Sequence, residues 1–380
     1  MANEHLSPEE VLRYSRHLTL PDFGIEGQIK LKQASVLAVG AGGLGSSLLS
    51  YLAAAGVGRI GIVDFDIVEE SNLQRQIIHG VDWIGKSKVD SARHRLNEIN
   101  PHCIVDTYNM RFDSGNILDI IDSYDIVCDG TDNFPTRYLV NDACVIKRKP
   151  YIYGSIFQFE GQVSVFNLYP SSPNYRDLVP EPPPAGMVPS CAEGGVVGVL
   201  PGIIGTIQAT EVIKILTNVG SSLDGRLLLF NALEMHFREV KLKKNNSIEE
   251  IKSLVDYESF CDPLGNLNLI VDSIDPADLS SQIQDKSNDI LLIDVRSKQE
   301  REICSISGSL HIPLDSICDS KTIETLKSIS NQNNIVIYCK LGSRSQKAVT
   351  SLGSFGIRST NLNGGIIRWI KEVDSTLSLY

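Results

Sequence analysis

The sequence predicts an α/β protein: a doubly wound, mostly parallel sheet followed by a smaller second α/β domain. Three observations predict it. An apolar strand pattern at 36–39 runs into a glycine-rich turn, a helix pattern and a second strand ending on an acid. Strand and helix patterns then alternate as far as Phe230, and another strand, loop and helix series begins beyond a polar stretch at 243–268. Alternation of this kind comes from βαβ crossovers, which lay helices on both faces of a parallel sheet.

Ser7-Pro8-Glu9-Glu10 is a helix start: a capping hydroxyl, a proline at the first helical position, and acids against the positive end of the helix dipole. This helix is expected to run through Leu18. Val36–Val39 is the first strand, Ser46–Ala55 the helix after the glycine turn, and Ile60–Val63 the second strand, closed by Asp64. Further strands are expected at 104–109, 126–129, 151–154 and 162–167, with helices at 86–97, 116–123 and 136–147 between them. Residues 170–190, PSSPNYRDLVPEPPPAGMVPS, hold too many prolines for regular structure and read as a long exposed loop crossing an active site. A helix at 202–216 and a strand at 226–230 complete the same domain. The organisation expected is an N-terminal domain over 1–262, a linker over 263–276 and a C-terminal domain over 277–380. The C-terminal domain is expected to carry strands at 290–294 and 335–338 and a helix at 345–352.

With 380 residues, 42% apolar and 21% charged, the chain has the composition of a soluble globular protein of two or three domains. A net charge of −11 argues against nucleic acid or an anionic membrane as the main partner. The eight cysteines form no C-x-x-C pair, which fits a reducing compartment and neither a zinc knuckle nor a redox dithiol. The N-terminal MANEHLSPEEVLRYSRH lacks the apolar centre of a signal peptide, and no apolar run reaches transmembrane length. Cytoplasm, or plastid stroma for a plastid-encoded chain, is the expected location.

Gly40-Ala41-Gly42-Gly43-Leu44-Gly45 fits G-x-G-x-x-G, and Asp64 stands where a ribose-binding acid belongs. The turn alone suits NAD, FAD or ATP, or simple packing. The residues after it favour a triphosphate. Ser71-Asn72-Leu73-Gln74-Arg75 brings polar side chains and a guanidinium, and Lys88 follows in the next helix. A triphosphate losing pyrophosphate needs such cations, whereas a dinucleotide has its charge served by the glycine turn. Gly130-Thr131-Asp132-Asn133 follows a strand at the carboxyl edge of the sheet, where Asp132 offers oxygen ligands to Mg²⁺.

In this order RYSRH, GAGGLGSS, DFD, SNLQRQ, GKSK and DGTDN resemble the ubiquitin-activating-enzyme superfamily. They are most similar to the molybdopterin-synthase adenylyltransferases and their thiamine-pathway relatives, over nearly all of residues 5–262. The resemblance implies a Rossmann-like adenylation domain in which Gly43, Asp64, Ser71, Asn72, Leu73, Gln74, Arg75, Lys88, Asp132 and Asn133 bind ATP and its Mg²⁺. It implies that Arg16 reaches the phosphates, from a second subunit of a homodimer in one arrangement. The acceptor it implies is the C-terminal glycine of a small ubiquitin-like sulfur carrier ending in Gly-Gly. The family's zinc is held by two C-x-x-C pairs, but this chain has Asn174-Tyr175-Arg176-Asp177 at the first and only Cys261 at the second. No structural zinc is therefore expected.

Two cysteines are candidate nucleophiles. Cys191 lies in SCAEGG after the proline-rich stretch, and the resemblance implies that it bonds to the activated carrier as a thioester or acyl disulfide. Cys339 opens Cys339-Lys340-Leu341-Gly342-Ser343-Arg344 between a strand and a helix. Loop N–H groups, the helix N-terminus and Arg344 are expected to stabilise an anion on its sulfur. With IDVR at 293–296, HIP at 311–313 and NGG at 363–365, residues 277–380 resemble a rhodanese domain. The function expected is MgATP-dependent adenylation of the carrier, then sulfur transfer through a Cys339 persulfide supplied by a donor such as a cysteine desulfurase. An NAD- or FAD-linked oxidoreductase and a non-catalytic docking protein are the alternatives.

Overall fold

Ser7 caps the first helix as its sequence requires. Its hydroxyl accepts from the Glu10 N–H at 3.2 Å, and the Glu10 carboxylate accepts from the Ser7 N–H at 2.7 Å. The helix stops earlier than expected. Pro8–Arg13 (α1) and Ser15–Leu18 (α2) part at Tyr14, whose buried phenol accepts from Asn100 Nδ2 at 2.8 Å. Anchoring that ring inward bends the chain.

The computed structural model describes residues 5–183, 194–245, 247, 250–262, 271–285, 289–330 and 334–380. The chain forms two compact units, Met1–Leu264 and Gly265–Tyr380. In the first, β1 (Ser35–Val39), β2 (Arg59–Val63), β3 (Ile104–Tyr108), β4 (Ile126–Asp129) and β5 (Tyr151–Phe157) run parallel in the order β3-β2-β1-β4-β5. β6 (Glu160–Phe166), β7 (Arg226–Asn231) and β8 (His236–Lys241) extend this sheet antiparallel.

The period of two splits each inner strand between layers. Val36 and Ala38 of β1 pack with Ile60, Ile62 and Ile126, while Leu37 and Val39 pack with Val63, Val127 and Tyr138. Burial on both faces explains why these strands read as unbroken apolar runs. Each such buried aliphatic side chain contributes about 1.5–3 kcal/mol. The chain moves outward from β1 through β2 to β3, then returns to β4 on the other side. That reversal opens a crevice at the carboxyl ends of β1 and β4, where ligands bind in sheets of this kind.

The second unit is a five-stranded parallel sheet in the order β11-β10-β12-β13-β9, made from β9 (Ser273–Ile274), β10 (Ile290–Asp294), β11 (Leu310–His311), β12 (Asn334–Tyr338) and β13 (Thr360–Leu362). Ile335, Ile337 and Cys339 face one core layer, and Val336 and Tyr338 face the other.

Three expectations change. The helix after the glycine turn starts at Gly43, three residues early, because the turn itself supplies its first residues. Within the proline-rich stretch, Tyr175–Leu178 is a short helix, capped by the Asn174 side chain on Arg176 N–H at 2.8 Å. The expected linker overlaps β9, which at two residues is too short to show a period, while 263–270 lie outside the described residues.

Candidate functional site

Glycines let the loops close on the crevice. A Cβ on Gly45 would stand 2.3 Å from Gly40 O, and one on Gly40 would meet Gly130 O at 2.8 Å with φ at +103°. Only glycine lets the turn after β1 touch the loop after β4. The helix Gly43–Ala55 (α3) then begins with no side-chain cap, so its first N–H groups face the cleft as an anion site.

The turn is gripped through one peptide. The Ala41 N–H donates to Asp64 Oδ2 at 2.8 Å, and the Ala41 carbonyl lies 2.9 Å from His79 Nε2. A carbonyl only accepts, so Nε2 carries the proton and Nδ1 accepts from Ser91 Oγ at 2.9 Å. Burial pushes the His79 pKa down to about 4, which keeps the ring neutral in this role. Burial raises the Asp64 pKa, opposed by the Lys88 charge and the N–H groups of Asp66 and Ala41. Both Asp64 oxygens accept backbone bonds, yet each keeps a second lone pair for a ribose hydroxyl.

The cleft is lined by Gly43, Asp64, Arg75, Lys88, Asp132 and Asn133 among the expected residues, and encloses about 970 Å³ including its open mouth. Lys88, 5% exposed, meets Asp66 at 2.8 Å, so a bound phosphate competes with a carboxylate for its charge. Arg75 Nη1 donates to Ser71 O at 3.0 Å. Ser71, Asn72, Leu73 and Gln74 are not among the lining residues. Asn72 is buried, and its Oδ1 accepts from Glu69 N–H at 3.4 Å across the turn Glu70–Asn72. Arg16 is exposed and is not among the lining residues.

Below the loop after β4, the buried Asp129 carboxylate accepts from Thr131 N–H, Thr131 Oγ1 and Tyr151 OH at 2.8, 2.6 and 2.6 Å. Arg137 Nη2 donates to Thr131 O at 2.9 Å, and Asn133 caps the helix Phe134–Lys147 through Thr136 N–H at 2.9 Å. The loop is clamped from beneath and presents Asp132 outward. An exposed carboxylate facing an open cleft suits Mg²⁺, which takes one or two carboxylates and completes its shell with phosphate and water. Asp66, Gln76 and Thr131 also line the cleft. Asp66 and Gln76 stand inside the quoted DFD and SNLQRQ, but only the fold shows that they face it.

The corner at which the family resemblance implies a zinc is built from other groups. Asn174 and Asp177 form a capping box, and Asp177 Oδ1 accepts from Asn245 N–H at 2.7 Å. Glu258 pairs with Arg111, leaving Cys261 as the one thiol, its pKa pushed up to about 11 by burial and Glu258. Such a donor set does not fit a tetrahedral zinc, and no cluster of three or more metal ligands occurs among the described residues. Arg176 occupies the corner. Its Nε and Nη2 donate to Asp142 at 3.0 and 2.7 Å, Tyr257 OH donates to the same carboxylate at 2.7 Å, and the guanidinium lies 5.1 and 4.8 Å from the Tyr138 and Phe260 rings.

In the second unit Cys339 follows β12 and is 1% exposed. Its Sγ receives the Gly342 N–H at 3.1 Å and lies 3.4 Å from Ser345 Oγ, whose shortest contact is Asn361 Oδ1 at 2.6 Å. Arg344 corrects the expectation. Its Nη1 and Nη2 donate to Glu300 at 2.7 Å each, while the sulfur accepts the Gly342 N–H and the single Ser345 hydroxyl proton goes to Asn361 Oδ1. Gly365 is forced: at φ +59° its Cβ would lie 2.5 Å from both Cys339 O and Lys340 O. Asp294 and Arg296 of the IDVR segment form a fully buried pair at 2.7 Å beneath this layer. Cys191 lies outside the described residues.

Comparison with known proteins agrees with both units. Residues 14–251 match the ThiF family and residues 275–372 match the rhodanese-like domain. The chain is 47% identical to the "Probable adenylyltransferase/sulfurtransferase MoeZ" of Mycobacterium tuberculosis, covering 99% of this chain and 96% of that one. It is 41% identical to the "Adenylyltransferase and sulfurtransferase MOCS3" of Sus scrofa, covering 99% and 89%. The crystal structure of E. coli MccB with ATP shares the fold, with a TM-score of 0.55 at 21% identity over 65% of this chain and 75% of that one. The chain belongs to the ThiF family and carries a rhodanese-like domain as its C-terminal part.

Proposed function

We propose that the protein adenylates the C-terminal glycine of a small ubiquitin-like sulfur carrier with ATP and then supplies the sulfur that turns it into a thiocarboxylate. The observation that carries this is the pairing, in one chain, of a cation-bearing nucleotide cleft with a cysteine whose sulfur accepts a loop N–H. The names of the full-length relatives, which join adenylyltransferase to sulfurtransferase, support it. They do not favour an oxidoreductase or a purely docking role.

In the first step a carrier carboxylate oxygen attacks the α-phosphorus of ATP, and pyrophosphate leaves. The N–H groups at the start of α3, with Arg75 and Lys88, neutralise phosphate charge, while Asp64 holds the ribose. Asp132 would hold Mg²⁺, which when bound would offset charge on the leaving pyrophosphate. A homodimer would let Arg16 of a second copy reach the phosphates. In the second step the outer sulfur of a Cys339 persulfide attacks the acyl carbon and AMP leaves. That leaves an acyl disulfide on Cys339; a thiolate, the role assigned to Cys191, attacks the Cys339 sulfur, the S–S bond breaks, the thiocarboxylate leaves, and the resulting disulfide is reduced by an external thiol.

The test is ATP–pyrophosphate exchange with a panel of carriers ending in Gly-Gly. Carrier-dependent exchange is expected, and its complete absence with folded protein would overturn the first step. Cys339→Ala is expected to keep exchange and lose thiocarboxylate formation. Among the described residues no helix is long and apolar enough to cross a membrane.

A further inference from the structure

The sulfur loop carries two cations, of which Arg344 is held by a carboxylate and Lys340 lies over a ring. Arg344 meets Glu300 through two bonds of 2.7 Å, with the two side chains only 16% and 10% exposed. Lys340 Nζ lies 4.6 Å from the Tyr380 ring centroid. The same tyrosine fixes Glu300: its OH donates to Glu300 Oε1 at 3.2 Å and accepts from Arg296 Nη1 at 2.6 Å. Glu300 is tied a third way, accepting from Ser297 N–H at 3.0 Å in the capping box of the helix Lys298–Ile303. The other cations nearby are also paired, since Arg296 and Arg301 both contact Asp294.

We propose that Glu300 is a specificity-determining residue: by neutralising Arg344 it makes the Cys339 loop favour a sulfur donor that leaves as a thiolate over one that leaves as a sulfite dianion. This rests on reading the second unit as a sulfurtransferase. With thiosulfate, the Cys339 thiolate attacks the outer sulfur, the S–S bond breaks, and sulfite leaves with the bonding pair as a dianion. With a persulfide R–S–SH, the same attack transfers the outer sulfur, R–S⁻ leaves as a monoanion, and the proton passes to solvent or stays on the new persulfide. Neither exchange needs an outside oxidant or reductant. The first requires a planar, two-pronged cation for a doubly charged oxyanion, the task for which a guanidinium is suited. Here the terminal nitrogens that would do it each already donate to a carboxylate oxygen.

The test uses the full-length protein and two donors, thiosulfate and N-acetylcysteamine persulfide, the latter uncharged apart from its sulfur. Sulfite and thiol release under single-turnover conditions give kcat/KM for each. Glu300→Gln removes the charge while leaving a side chain that still completes the capping box. It is expected to raise the thiosulfate-to-persulfide ratio of kcat/KM about tenfold, mainly through a lower KM for thiosulfate, as expected when one unit of negative charge is removed beside a dianion site. Glu300→Gln combined with Arg344→Gln is expected to lose that gain, which a merely structural role for Glu300 would not produce. An unchanged or lower ratio in Glu300→Gln overturns the proposal. Should that variant misfold, Tyr380→Phe, which removes one bond to Glu300, is expected to move the ratio in the same direction by about twofold, on the scale of a single weakened hydrogen bond. No rise there overturns the proposal equally. Cys339→Ala separates the two failures: if it releases sulfite at the wild-type rate, the sulfurtransferase reading itself falls.

Discussion

Arg176→Met removes the guanidinium that holds the corner of the first unit and keeps most of its aliphatic stem. Asp142, with its side chain 2% exposed, is then left with Tyr257 OH at 2.7 Å and Asn141 Nδ2 at 3.0 Å. Breaking a buried ion pair by removing one partner costs about 3–5 kcal/mol, and the two surviving hydrogen bonds place this case near the lower end, about 3 kcal/mol. Loss of the cation–π contacts with the Tyr138 and Phe260 rings adds at least about 0.5–1 kcal/mol each, for about 4–5 kcal/mol in all. The assay is urea unfolding followed by Trp83 in a Trp369→Phe background, because the chain's two tryptophans fall one in each unit. With an m-value of about 3 kcal/mol/M, a loss of about 4–5 kcal/mol moves the midpoint down by about 1.5 M. Adding Asp142→Asn to Arg176→Met is expected to recover part of that loss. A shift below about 0.3 M, about 1 kcal/mol on the same slope, refutes the reasoning. So does a wild-type midpoint that falls when EDTA is added, since a metal would then be holding the corner.

His79 gives a pH prediction. Its pKa is lowered from 6.5 to about 4 in the folded protein, so between those values the unfolded chain binds the extra proton and stability falls as the pH is lowered. At pH 4.5 the loss relative to pH 7 is about 2–3 kcal/mol, and His79→Gln, which keeps a donor for Ala41 O but does not titrate, is expected to remove that part of the slope. Urea midpoints at the two pH values measure it, and an unchanged slope would falsify the assignment. Gly365→Ala places a Cβ 2.5 Å from two carbonyl oxygens in a left-handed conformation. It is expected to destabilise the second unit by about 1–3 kcal/mol or more and to slow sulfur transfer, with Trp369 fluorescence shifting while Trp83 keeps its own midpoint.

Much of this was legible in the sequence, for reasons that are local. β1, β2, β4 and β10 declare themselves because inner strands of a parallel sheet are apolar on both faces. β8 escaped, since His236–Lys241 is an edge strand with five of its six residues exposed and has no buried face to impose a period. Asp64, Lys88 and Cys339 stand at strand ends or helix starts, where position and chemistry coincide. Arg344 was placed on the sulfur because spacing along a loop shows which residues are near. It does not show that Glu300, forty-four positions away, takes the guanidinium first. His79 and Arg176 were likewise invisible as positioning groups, because Ala41 and Asp142 reach them only across the folded chain.

The depth of Cys339 bears on timing. Cys339 as a residue is 1% exposed, so on the proposed mechanism a persulfide formed there would be shielded from most of bulk water. On the proposed mechanism, loading would then be separable from use, and the two half-reactions need not coincide. Initial-rate plots for sulfur donor and carrier are then expected to be parallel lines, and the charged protein should survive gel filtration between additions.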